Sequence, residues 1–128
     1  MSTDEETIEA SLELVAERVG DPARLIYARL FAAFPDTEPQ FFRDRDWKIR
    51  GEMLAMAFQC LLGGASYAEN LMRAERVNHE GFGIDPAAFV SFFPIVRETC
   101  REVLGADWTE TVDRAWAERL GVIDGLIR

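Results

Sequence analysis

Apolar residues recur at helical spacing along the whole chain, and no stretch alternates apolar with polar long enough to make a strand, so the pattern predicts an all-α fold. The first helix opens on a capping box, Thr3-Asp4-Glu5-Glu6, carries Ile8, Leu12, Val15 and Val19 on one face, and stops at Gly20. Asp21-Pro22 supplies an N-cap and a proline at the first helical position of a second helix, whose stripe of Tyr27, Leu30, Phe31 and Phe34 ends at Pro35. A short, proline-bounded piece carries Phe41-Phe42, and Arg43-Asp44-Arg45-Asp46 reads as a charged loop. The next helix runs from about Trp47 to Leu62 and is terminated by Gly63-Gly64. Ser66-Tyr67-Ala68-Glu69 is another capping box, opening a helix that ends near His79. After the turn Gly81-Phe82-Gly83, Asp85-Pro86 starts a long helix with Phe89, Phe93, Val96, Cys100 and Leu104 inward and Gly105 as its stop. A last helix places Val112, Trp116, Leu120 and Ile123 on one face.

With 128 residues, no internal repeat and no linker, the chain is expected to form one domain over 1–128. Its 48% apolar and 29% charged residues are those of a globular protein, which argues against disorder. Fourteen Lys and Arg against 23 Asp and Glu give a net charge of −9, which repels phosphate backbones and anionic lipid, so neither nucleic acid nor membrane is an expected partner. The longest uncharged stretch, Met53 to Ala68, falls short of the ~20 apolar residues of a membrane span. The acidic start Met1-Ser2-Thr3-Asp4-Glu5-Glu6 lacks the basic and apolar regions of a secretory signal, and a cytoplasmic location is expected. Cys60 and Cys100 lie in apolar helices without metal-type spacing and read as reduced, buried thiols, with a disulfide between them left open.

The single histidine, His79, changes the picture most. Multi-histidine zinc, copper and non-haem iron sites need two or more imidazoles or a thiolate cluster, whereas one axial histidine suffices for haem, because the porphyrin supplies the equatorial nitrogens. On its own, a lone histidine is more often a surface or hydrogen-bonded bystander. Its neighbours carry the argument. His79 follows Leu71 and Met72 by 8 and 7 residues and so lies on an inward face. Arg50 stands in register with the apolar stripe Leu54, Ala57 and Leu61; it either snorkels to solvent or reaches an interior partner. Tyr27 lies on the inward stripe of its helix, as an ordinary core tyrosine or as a hydroxyl facing a ligand. A ligand lying between the three would account for all of them.

These segments resemble the globin family, closest to the single-domain globins and the globin portion of bacterial flavohaemoglobins. The run Ile26 to Phe31, then Phe34-Pro35 and Phe41, resembles the family's second helix and the phenylalanine that packs on the haem face. His79-Glu80-Gly81-Phe82-Gly83-Ile84-Asp85-Pro86 resembles its proximal segment, and Leu104-Gly105 through Trp108-Thr109 to Ala115-Trp116 resembles the join of its last two helices. The resemblance implies a globin fold of about six to eight helices around a haem pocket. It implies haem b held by His79 as proximal iron ligand, Phe41 against the porphyrin, Tyr27 and Arg50 on the distal side, and Leu54 walling the pocket. Hydroxyl and guanidinium donors would then favour oxygen, which accepts hydrogen bonds, over carbon monoxide. Lys48 and Arg76 are weak candidates for the propionates.

The chain also departs from that family. Glutamine, histidine or leucine commonly stands where Arg50 does, so Arg50 could swing to a propionate. Phe89 matches the place of a tyrosine that flavohaemoglobins set behind the proximal histidine, and the chain reaches Arg128 before the position of the glutamate they pair with it, so the resemblance implies a weaker electron donation to iron. No reductase segment is present, so nitric oxide dioxygenation would need a separate reductase. The expected function is reversible binding of a diatomic gas (oxygen, nitric oxide or carbon monoxide), with a haem-based gas sensor and a haemless regulatory module as alternatives.

Overall fold

Thr3 caps the first helix: its hydroxyl accepts the N–H of Glu6 at 3.1 Å, and helix α1 (Asp4–Val19) stops at Gly20, whose φ of 69° suits a residue without Cβ. This is the arrangement in a computed structural model of the chain, which describes residues 3–63, 65–81 and 83–127, with backbone alone for 65–69. Asp21 caps the following helix by accepting the Ala23 N–H at 2.9 Å, and α2 (Ala23–Ala33) ends before Pro35. A 3₁₀ segment, Pro35–Phe41, leads through the Arg43–Asp46 stretch to α3 (Lys48–Leu62).

Helix α4 (Ala65–Gly81) begins one residue before the Ser66 box and continues past His79. The side chains of that box, together with Gly64 and Phe82, lie outside the described residues. Asp85 accepts the Ala87 N–H at 2.9 Å and starts α5 (Pro86–Leu104), and Thr109 caps α6 (Glu110–Ile127). All the regular structure among the described residues is helical, as the spacing predicts, and none of these helices is long and apolar enough to cross a membrane.

The helices close around one core. α1 packs across α5 and α6, α2 lies on α5, and α4 lies on α6 and against α3. Trp116 is fully buried at the centre, and its indole N–H donates to the Ser11 hydroxyl at 2.9 Å, which in turn donates to the Ile8 carbonyl at 2.6 Å. This explains why Ser11 is buried on the α1 face where the pattern favours apolar residues, while Val19, expected inward, is 42% exposed at the helix end. Cys60 and Cys100 are buried free thiols. Arg119 of α6 reaches α3, donating to the carbonyls of Leu61 (3.1 Å), Cys60 (2.6 Å) and Gly63, and so satisfies carbonyls that a helix end leaves without partners. Residues of α3 and α4 line a pocket beside this junction.

Candidate functional site

The pocket lies where α3, α4, α5 and the 3₁₀ segment converge. Met53, Met56 and Ala57 of α3 form one wall, and Met72, Glu75 and His79 of α4 another. Phe89, Phe92 and Phe93 of α5 and Phe41 of the 3₁₀ segment supply ring faces. Its polar groups are few. The Thr37 hydroxyl donates to the Phe34 carbonyl at 2.6 Å and is thereby committed to its own turn. That leaves Glu75 and His79.

His79 sits in the last turn of α4 with its side chain 21% exposed, and its Nδ1 lies 2.7 Å from the Glu75 carbonyl oxygen. A carbonyl only accepts, so Nδ1 carries the hydrogen and the neutral ring keeps its lone pair on Nε2. The i, i+4 spacing in a continuous helix creates this bond, which fixes the ring and its tautomer together. Phe89 packs at 4.8 Å between ring centroids and limits the remaining rotation. The arrangement presents one imidazole nitrogen, as a ligand for a metal whose other positions are filled by something besides the protein. The donor set therefore fits haem, and among the described residues no group of three or more His, Cys, Asp or Glu is placed to hold a bare ion. His79 also borders a neighbouring groove with Arg76, Pro86 and Ile127.

Phe41 lines the pocket, and its ring meets Tyr27 edge-on at 5.7 Å. Tyr27 itself stands behind that ring. It is fully buried among Phe31, Phe41, Trp47 and Phe92, and its hydroxyl donates to the Arg50 main-chain carbonyl at 3.2 Å. Burial pushes the phenol well above its ordinary range, with the Arg50 charge opposing and the Asp44 charge reinforcing that shift.

Arg50 is placed differently from the sequence expectation. Its Nε donates to the Asp44 carboxylate at 2.8 Å, its Nη2 to the Asp44 main-chain carbonyl, and its guanidinium stacks 3.6 Å from the Trp47 ring centroid. Neither Arg50 nor Tyr27 lines the pocket among the described residues. The cause is Asp44, inside the run that reads as a solvated loop. It is 2% exposed, and besides the guanidinium it accepts the N–H groups of Ile49 (2.8 Å) and Arg50 (3.0 Å) at the start of α3. Burial pushes the Asp44 carboxyl up, but these three donors outweigh it and hold it below the usual carboxylate range. Trp47, at φ 64°, turns the chain so that Asp44 can reach forward to the helix; a bulky residue there carries about 1–3 kcal/mol of strain. Stacking between Arg24 (4.7 Å) and Arg50 helps to offset it.

Leu54 is also displaced from its expected role: it is 2% exposed and faces the core, while Met53, Met56 and Ala57 present the pocket side of α3. Sequence reasoning missed these methionines and Glu75. Their helical spacing was available, but a methionine stripe reads as core, and the rotation of α3 is set by the Asp44 and Trp47 contacts that bridge the loop. Of the propionate candidates, Arg76 pairs with Glu80 at 3.4 Å and Lys48 is exposed at the start of α3.

A family model described as Globin matches residues 24–126. No curated protein and no solved structure matched significantly.

Proposed function

This chain belongs to the globin family, and we propose that it holds haem b through Nε2 of His79 and takes up a diatomic gas (oxygen, nitric oxide or carbon monoxide) in the pocket between α3 and α4. The observation that carries this reading is the bond from His79 Nδ1 to the Glu75 carbonyl, which orients a solitary histidine beside an apolar pocket and leaves Nε2 as the nitrogen available to a metal. When bound, haem would supply an iron that His79 would hold and that would take up the gas.

The chain's own residues do the rest. Phe41 and Phe89 offer ring faces on which a flat macrocycle can rest. The thioethers and methyl groups of Met53, Met56 and Ala57 exclude water from the gas side, which slows loss of the reduced state. They also offer no N–H or O–H donor, and Tyr27, Arg50 and Thr37 spend theirs elsewhere. A gas held here is sorted by size and polarity alone, without the hydrogen bonds that favour oxygen over carbon monoxide. Rapid oxygen exchange suits this wall better than tight storage. Sustained turnover of nitric oxide would draw its electrons from a separate reductase.

The test is the absorption spectrum of the purified chain and of His79→Ala after haemin addition, ferric and then reduced with and without carbon monoxide. Stoichiometric uptake with a Soret band that shifts on carbon monoxide, and loss of the histidine-ligated form in the variant, is the expected result. Folded protein that takes up no haem, or a variant spectrum identical to the native one, would overturn the reading.

A further inference from the structure

We infer that the Glu75 carboxylate is the residue that tunes His79, acting on its Nδ1–H to make Nε2 a stronger electron donor; this rests on the reading of His79 as the haem ligand. Glu75 and His79 are one turn apart on α4, so their side chains share a face. The Glu75 main-chain carbonyl takes the Nδ1 hydrogen at 2.7 Å, and the carboxylate Oε2 of the same residue lies 3.6 Å from the same nitrogen. Both side chains are sheltered to a similar degree, 22% exposed for Glu75 and 21% for His79.

The surroundings make this contact unusual for a helix-surface glutamate. Among the described residues that line the pocket, Glu75 is the one Asp, Glu, Lys or Arg, set among methionine, phenylalanine and leucine side chains. A charge beside such a wall is weakly screened, so the carboxylate acts on the Nδ1 hydrogen through its field, while the hydrogen bond itself stays with the carbonyl. On its other flank the imidazole meets the Phe89 ring, which has no hydroxyl to share the N–H. Polarisation of the imidazole therefore comes from one residue acting twice, by its carbonyl dipole and by its charge.

A negative charge near Nδ1–H draws the hydrogen away from the ring and leaves more electron density at Nε2, as carboxylate–histidine pairs do behind metal ions. On iron this strengthens the bond to histidine and stabilises the ferric state relative to the ferrous. Glu75 touches neither the gas nor the iron, and so is a positioning residue.

The experiment uses the full, haem-loaded chain and compares native protein with Glu75→Gln, which keeps the side chain's shape and removes its charge, and with Glu80→Gln, an exposed charge five residues along the same helix. The readouts are the iron–histidine stretching band of the ferrous protein by resonance Raman and the ferric/ferrous midpoint potential. Glu75→Gln is expected to lower the stretching frequency and raise the potential while haem stoichiometry and helicity stay unchanged, and Glu80→Gln is expected to leave the frequency where it is. Glu75→Asp, whose shorter side chain withdraws the charge, should fall between native and Glu75→Gln and gives a second reading should the glutamine variant fold poorly. An unchanged frequency and potential in both Glu75 variants, or equal shifts in Glu80→Gln, would overturn the inference while leaving His79 as ligand. Absence of any iron–histidine band from the native protein would instead bring down the underlying reading, and this one with it.

Discussion

The Tyr27 hydroxyl donates to the main-chain carbonyl of Arg50 across 3.2 Å, tying α2 to the first turn of α3. A carbonyl in the first turn of a helix already serves the N–H one turn later, and its second lone pair is what the phenol uses. Because the hydroxyl is spent there, and because four aromatic rings surround the phenol, Tyr27 acts as a brace behind the pocket.

Tyr27→Phe should therefore cost stability and leave gas kinetics alone. Loss of the bond strands a buried carbonyl site, for which about 1–2 kcal/mol is expected. Urea unfolding of the two proteins measures this, and stopped-flow oxygen dissociation from the haem-loaded forms should agree within about twofold, since a factor of two is only ~0.4 kcal/mol. A tenfold faster loss of oxygen would return Tyr27 to the gas side of the pocket.

The difference between what the residues announce and what they do follows from the range of each signal. Thr3, Gly20, the Asp21-Pro22 pair, Asp85 and Gly105 mark helix ends through bonds to neighbours a few positions away, so the helices were legible one by one. Phe41 and His79 were legible as pocket residues because both precede or follow such local marks at a spacing the globin resemblance supplies. The facing of α3 was not. It depends on Asp44 reaching five and six residues forward past a left-handed Trp47, and on Arg119 closing the other end of the same helix from 58 residues away in the case of Leu61. A rotation about the helix axis exchanges Arg50 and Leu54 for Met53 and Met56 at the pocket, with Ala57 on the edge of both faces, and nothing in the local periodicity distinguishes the two.

Asp44 makes the α3 start sensitive to acid. Its folded carboxyl is held below the unfolded value of about 3.9, so its stabilising contribution is complete above that pH and is lost as pH falls through the lower, folded value. Asp44→Asn should be less stable than the native chain at about pH 7, and the gap should narrow steadily as pH falls from about 5 toward about 2. Asp113 is depressed in the same direction, chiefly by the Trp108 indole N–H and then by Arg97, but it is common to both proteins and cancels in the comparison. Urea midpoints across this range are the measurement. A gap that stays constant with pH would show that the Asp44 carboxyl titrates alike in the folded and unfolded chain.

The two thiols should be inert in the folded chain. Burial pushes Cys60 up to about 11, with Arg119 opposing and Glu75 reinforcing, and pushes Cys100 up to about 12. Since the thiolate is the reactive form, iodoacetamide at about pH 8 should label Cys60 about a hundredfold more slowly than the urea-unfolded chain, and Cys100 more slowly still. Mass spectrometry of timed samples gives both rates. Native labelling at the unfolded rate would place these cysteines in solvent and contradict their burial.

The apolar gas side can be converted by a single donor. Met53 faces the pocket from α3, is unbranched, and matches glutamine closely in length, so Met53→Gln brings an amide N–H₂ into a wall that offers no donor and disturbs packing little. One hydrogen bond to a polar gas ligand is worth about 1 kcal/mol, which corresponds to roughly fivefold slower oxygen dissociation, while carbon monoxide, a poor acceptor, should leave at a rate changed by less than about twofold. The ratio of the two dissociation rates, measured on the haem-loaded variant and native chain, carries the answer. Slowing of both gases alike would point to a narrowed exit instead of a new hydrogen bond, and no change in either would mean that position 53 lies away from the bound gas.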